Sequence, residues 1–266
     1  MTEPLSASGS SADIDREDLI LGLFLGAVRG QTLVAVELDQ RHRRAEALLA
    51  FEEAQAFVQR TEEVFGEGAA SVRLSRTFDG AVDRLRADEP GALDETLAAA
   101  GRATLDIESD IVGATSKLAA YRASLVGYLA HEAAAYYEEA VTVDPFDLDG
   151  YRFAYGLLRE AKNMHEGLAT VVEEQTDDHA RAADTLLAAM FSAMPSSEPP
   201  TDLPPADEVT GAASVLGTLL TDDYGAVSLP PRDGLSYIAP LLEEILVTYE
   251  SGEAGVADVL LEKVQA

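Results

Sequence analysis

Apolar residues in this chain recur at spacings of three and four, and this periodicity limits the fold more than any other feature. That spacing places them on one face of an α-helix. There is no sustained alternation of β-branched residues and no Asn-Gly hairpin signal. The sequence therefore predicts an all-α fold. We expect a bundle of long antiparallel helices with a shorter C-terminal helical part.

Glycine and proline residues predict where the helices end. Gly66 and Gly68 end the first helix, and Pro90 stands before another. No proline occurs in 92–141, so this stretch is either one long helix or two that meet near Gly113. The predicted helices cover residues 14–65, 70–87, 92–141, 148–174, 177–193, 207–222, 233–250 and 254–264.

The domain prediction follows from the proline distribution. Residues 1–13 read as a disordered acidic leader, because they have neither a basic start nor an apolar run. Residues 14–194 form the main helical bundle. The proline-rich stretch 195–206 is predicted as a linker. Residues 207–266 are expected to be C-terminal helices packed on the bundle.

The charge balance excludes several classes of partner. Asp and Glu outnumber Lys and Arg 48 to 19, which gives a formal net charge of −29. Nucleic acids and anionic membranes bind through clustered Lys and Arg, so we expect neither as a partner. The chain has no cysteine, which excludes thiol catalysis and thiolate metal sites. Abundant acids with little lysine are typical of proteins from a salt-loaded cytoplasm, where a Debye length of about 3 Å screens self-repulsion. We therefore expect a halophilic, cytoplasmic protein.

The stretch 19–38 is apolar and about one bilayer crossing long. Arg29 and Glu37 interrupt it, and a central arginine is costly in a membrane. We interpret it as a buried core helix without stable membrane insertion. Its glycines recur every fourth residue and predict that another helix approaches closely; they are Gly22, Gly26 and Gly30.

Arg29 is the most unusual residue of that stretch, because a buried guanidinium needs carboxylate or carbonyl partners. Glu108 could supply one from another helix, and Asp106 and Asp110 are alternatives. We interpret Arg29 first as a structural ion pair and second as a ligand-binding residue. The basic cluster Arg41, Arg43 and Arg44 is expected to be neutralised by nearby glutamates; docking of an acidic partner or an anion is the alternative.

Tyrosines concentrate between residues 121 and 155, where two predicted helices meet across a short turn. Pairing of these helices would place Glu132 near Arg159 and group several polar side chains inside the bundle. The simpler interpretation is structural, with buried rings and hydroxyls bonded to carboxylates. The alternative is a ligand pocket formed by Tyr128, Tyr136, Tyr155, Arg159 and Arg29. A divalent metal such as iron is a further alternative, with candidate ligands His131, Glu132 and His165.

Three segments carry a family resemblance. The stretches AFEEAQAFVQRTEEVF and DEPGALDETLAAAGRATLDIE resemble helical domains of imelysin-type and iron-permease-associated proteins. The segment AAYYEEAVTVDPFDLDGYRFAYGLLREA resembles haloarchaeal helical proteins of unknown function. The resemblance implies a helical domain and an iron association. The imelysin Gly-x-His-x-x-Glu signature is not matched, because Gly127 precedes His131 by four residues and Ala134 stands three after it. No ligand is transferred.

The motifs of common enzyme classes are missing from the sequence. It contains no His-Glu-x-x-His, no phosphate-binding loop and no nucleophile elbow. No catalytic residue or cofactor is therefore predicted. We expect a non-enzymatic helical protein that binds an unknown protein partner or acts as a scaffold. Metal or small polar ligand binding is the alternative function, and the oligomeric state stays open.

Overall fold

A computed structural model describes residues 14–65, 69–87, 92–113, 119–169 and 177–227. Within these ranges the chain forms eight helices and no strand, which confirms the all-α prediction. The helices are α1 (Arg16–Gln40), α2 (Arg44–Phe65), α3 (Ala69–Arg86), α4 (Ala92–Ile111), α5 (Ala119–Thr142), α6 (Leu148–Ala169), α7 (Asp177–Ala193) and α8 (Ala206–Tyr224).

Most helix boundaries fall where glycine and proline predicted them. Helices α3, α7 and α8 agree with the predicted ranges to within two residues. The stretch 92–141 is two helices, and Gly113 has a φ of +63° just after α4 ends. The predicted leader 1–13 and the predicted helices 233–250 and 254–264 lie outside the described residues.

The prediction of a single helix over 14–65 is wrong, because the chain turns between α1 and α2. His42 adopts a left-handed conformation with φ of 62°. The amide of Arg43 donates to the carbonyl of Leu38 at 2.9 Å, and the amide of His42 donates to Asp39 at 2.8 Å. These two bonds form a Schellman C-cap. Histidine is one of the few non-glycine residues enriched in this conformation, so no glycine or proline marks the break.

Helix α1 is the central helix of the described part. It packs against α2, α4, α5 and α6. Nearly all of its side chains from Leu19 to Leu38 are buried. By length and composition it could cross a membrane, but most of its apolar stretch is covered by protein. That burial accords with a core helix, and the absence of membrane insertion stays a prediction.

The predicted close approach at the α1 glycines is present. A Cβ at Gly22 would lie 2.8 Å from Leu125 Cδ1, and one at Gly26 would lie 3.1 Å from Leu129 Cδ2. Helices α1 and α5 therefore run in the same direction. A Cβ at Gly30 would lie 2.5 Å from the carbonyl oxygen of Gly156 on α6. The α1 and α6 backbones thus touch where both residues lack a side chain.

We expect Gly30→Ala to lower the free energy of unfolding by about 1–3 kcal/mol, because the methyl group would push the two backbones apart. Alanine is intrinsically the better helix former by about 1 kcal/mol, so propensity alone would raise stability. A loss of stability therefore reports the contact between the two backbones. Gly101→Ala is the matched control, since a Cβ there meets nothing within 4 Å. It should raise stability by about 0.5–1 kcal/mol. Denaturant unfolding followed by circular dichroism measures both, and an unchanged Gly30→Ala protein would contradict the packing.

Candidate functional site

Arg29 joins three helices inside the bundle. Its side chain is 10% exposed, and its Nε donates to the carboxylate of Glu160 on α6. Its Nη1 lies 3.5 Å from Oε2 of Glu108 on α4. Burial lowers the pKa of Arg29, but the charges of Glu160 and Glu108 outweigh burial and the pKa is raised. The guanidinium therefore stays charged and ties α1 to α4 and α6.

Glu108 was one of the partners predicted for Arg29, and the structure places it there. The alternatives Asp106 and Asp110 are exposed on the outer side of α4. Glu160 was missed, although it lies one helical turn after Gly156 and hence beside the α1 contact. That i,i+4 relation becomes informative only once Gly156 is known to face Gly30.

The carboxylate of Glu108 is fully buried between two arginines. Arg122 Nη1 lies 3.5 Å from its Oε1, the same separation as from Arg29 to Oε2. Charge-assisted hydrogen bonds are about 2.7–2.9 Å long. Within the described residues neither carboxylate oxygen accepts a hydrogen bond of normal geometry. The attraction is therefore mainly electrostatic. Two arginines flank Glu108, and one of them, Arg29, also pairs with Glu160.

The tyrosine hydroxyls on α5 and α6 mostly hold irregular chain in place. Tyr128 donates to the carbonyl of Val227 at 3.1 Å. Tyr137 donates to Pro204 at 2.7 Å and Tyr151 donates to Ser196 at 3.2 Å. These carbonyls belong to segments without a helical hydrogen-bond ladder, so the tyrosines satisfy them. Tyr136 packs its ring on Phe153, with centroids 4.6 Å apart.

Glu37 on α1 contacts two of the five residues that the sequence assigned to a pocket, Tyr155 and Arg159. Its Oε2 accepts from the hydroxyl of Tyr155 at 2.7 Å and lies 3.5 Å from Arg159 Nη1. Its Oε1 accepts from the amide and hydroxyl of Ser197, both at 3.0 Å. Burial raises the pKa of Glu37, but the hydrogen bonds from Tyr155 and Ser197 and the charge of Arg41 outweigh it and lower the pKa.

Ser197 and Tyr137 show that the predicted linker 195–206 is attached to the bundle. Ser197 is fully buried against Glu37 on α1, and Arg152 on α6 donates to its carbonyl at 3.3 Å. Tyr137 holds the other end of the segment at Pro204. The stretch is therefore a fixed connection between α7 and α8. Beyond it, α8 packs against α5 and α7.

The metal-ligand candidates are two adjacent residues of α5, His131 and Glu132, and His165 of α6. Glu132 is buried on α5, and burial lowers the pKa of its half-buried neighbour His131. His165 is 1% exposed, with its Nε2 3.4 Å from Asp184 on α7. Burial lowers the pKa of His165 despite the opposing charge of Asp184. Among the described residues, no group of three or more His, Asp or Glu side chains is placed to hold a metal ion.

The basic cluster of the α1–α2 turn is paired with local carboxylates. Arg41 lies 2.9 Å from Glu37, and Arg43 lies 2.7 Å from Glu46. Arg44 lies 3.4 Å from Asp39. The predicted local neutralisation by Glu37 and Glu46 is thus present, and Asp39 adds a third carboxylate.

Comparison with known proteins adds no assignment to this geometry. No protein-family model, curated protein or solved structure matches the chain.

We expect Arg29→Met to lower the free energy of unfolding by about 3–5 kcal/mol, because it leaves the buried carboxylate of Glu160 without a cation and Glu108 with Arg122 alone. Adding Glu108→Gln and Glu160→Gln to the same chain should recover most of that loss. Arg86→Met is the control, since the Arg86–Glu52 pair is exposed and should cost less than about 1 kcal/mol. Denaturant unfolding compares the variants. A small loss in Arg29→Met would contradict the role given to this ion cluster.

Glu37→Gln should lower the free energy of unfolding by about 1–3 kcal/mol at pH 7, because the charged acceptor of several hydrogen bonds is lost. The folded-state pKa lies below the unfolded value of 4.5, so this stabilisation is present above pH 4.5 and disappears as pH falls below it. Unfolding curves between pH 7 and pH 3 should therefore converge for the two proteins. Glu52→Gln, at an exposed pair, serves as control, and a pH-independent gap would contradict the assignment.

Proposed function

We propose that this chain is a non-enzymatic helical protein that acts by binding another protein in a salt-rich cytoplasm. The observation that carries the proposal is an uncharged outer surface in a chain with a net charge of −29. No charged residue occurs from Val209 to Thr221 on α8, nor from Thr185 to Ser197 on and after α7. The two helices pack against each other.

The exposed positions of these two stretches define what we name the α7–α8 face. Each is exposed, and each is apolar, small or a hydroxyl residue: Thr185, Ala188, Ala189, Ser192, Gly211, Ser214, Val215 and Thr218. Val215 is 56% exposed, and a Cβ at Gly211 or Gly217 would meet nothing within 4 Å. The described residues therefore leave this face uncovered. Another protein can cover a face of this kind without burying a carboxylate, which is the costly step on the acidic faces.

Exposed apolar residues elsewhere stand among charges. Leu49 on α2 is 53% exposed and lies in the same helix as Glu46, Glu52 and Glu53. Leu105 on α4 is 48% exposed and is followed by Asp106. Isolated exposed leucines of this kind are ordinary on protein surfaces. The contrast singles out the α7–α8 face, whose partner should present an equally uncharged surface.

No observation favours the alternative of a ligand pocket around Tyr128, Tyr136, Tyr155 and Arg159. Their polar groups and rings engage other parts of the chain, as described above. The iron association implied by the resemblance likewise gains no ligand set from the described residues.

A photo-crosslinking amino acid at Val215 should give a discrete protein adduct in cells that make this protein natively. The same amino acid at Leu49 should not, although the two side chains are equally exposed. Gel mobility and mass spectrometry identify the adduct. Equal labelling at both positions, or none at Val215, would contradict partner binding through the α7–α8 face.

A further inference from the structure

The partner for the α7–α8 face is, we propose, a second copy of this chain, bound through the same face in a weak, salt-dependent dimer. This inference rests on the proposed function and names the occupant of its surface. It follows from the charge distribution, the exposed side chains of α8 and the size of the face.

The charge of the chain argues for self-association at this face in particular. Two copies each carrying −29 repel one another over most of their surfaces. Apposing carboxylates directly is costly, because like charges at an interface oppose binding strongly. In the described part, the outer faces of α2, α3, α4 and α6 all carry charged side chains. At the α7–α8 face two such chains can touch with carboxylates only at the rim of the contact.

A basic partner would be recognised differently. It would gain most by contacting the acidic faces, where its lysines and arginines find carboxylates. An uncharged face offers it no such complement. A copy of the same face, by contrast, matches Val215 with apolar and small side chains. The charged residues next to the face then lie at the rim, where Asp207, Glu208 and Asp222 of α8 and Arg181 and Asp184 of α7 are exposed.

The size of the face predicts a weak complex. The uncharged part of α8 is about 18 Å long at a rise of 1.5 Å per residue. Two neighbouring helices give a width of about 20 Å. The face therefore covers roughly 400 Å² per copy, or about 800 Å² in the dimer, which is below the size of stable specific interfaces and in the range of weak, transient ones. A face that pairs with itself around a two-fold axis closes as a dimer and does not propagate.

Salt should strengthen this dimer. At 0.1 M ionic strength the Debye length is about 10 Å, so the remaining carboxylates of the two copies repel one another across the rim. At 1 M it falls to about 3 Å, and that repulsion is screened. The contact itself contains no charge pair that salt could weaken.

Sedimentation velocity on the full chain, over a range of concentrations in 0.2 M and 2 M KCl, tests the proposal. We expect monomer in 0.2 M and a monomer–dimer equilibrium in 2 M, with a dissociation constant lower by at least about tenfold. Val215→Glu and, separately, Thr218→Glu should each weaken the 2 M dimer by at least about tenfold, because each places a charge in both copies at the contact. Leu49→Glu is the matched control and should dimerise as the unaltered chain does.

Circular dichroism checks that each variant keeps its helix content, and both substituted positions on α8 are exposed. A monomer at both salt concentrations would overturn the proposal. So would a salt-induced dimer that Leu49→Glu weakens as much as Val215→Glu does, or open-ended oligomers. If the protein stays monomeric but Val215 gives a discrete adduct with a different protein, only the proposal of a second copy is overturned. The proposed function then still stands.

Discussion

The described fold depends on a charged group placed inside an apolar helix. Helix α1 is surrounded by four others, and its Arg29 is neutralised by carboxylates from α4 and α6. Apolar packing alone is tolerant of small rotations and shifts between helices. A buried guanidinium is less tolerant, because a helix that slips leaves a charge uncompensated. Arg29, Glu108 and Glu160 therefore hold α4 and α6 against α1 in one register.

The glycine contacts fix the same register between helices, but they do so by steric packing and not by charge. At Gly30 and Gly156 the α1 and α6 backbones approach so closely that no side chain fits between them. This contact sets the distance between the helices, and the Arg29–Glu160 pair lies directly beside it. Close approach and charge compensation thus coincide at one point of the α1–α6 interface. That coincidence gives the arginine a structural role in an otherwise apolar stretch.

The sequence predicted those features that depend on local pattern. The helical class followed from periodicity, most helix ends followed from glycine and proline, and Glu108 was foreseen because Arg29 required a carboxylate. The break at His42 was missed, since a left-handed histidine leaves no mark that a glycine or proline would leave. Glu37 was missed as a centre of hydrogen bonds because its partners Tyr155 and Ser197 lie far away in the chain. The sequence shows the hydroxyl groups of Tyr128 and Tyr155 but not their acceptors, so their hydrogen bonds to Val227 and Glu37 could not be predicted.

The tyrosines that hold the connection between α7 and α8 have a consequence for how this protein can change over evolutionary time. Tyr137 and Tyr151 each contribute one oxygen atom to that connection, while their rings are buried in the core. Exchange of either residue for phenylalanine would preserve the core and remove only the tether. The bonds of Ser197 to Glu37 and Arg152, and the packing of α8 on α5, would still hold the connection. The number of hydrogen bonds on this segment can therefore change over evolution while the core stays the same.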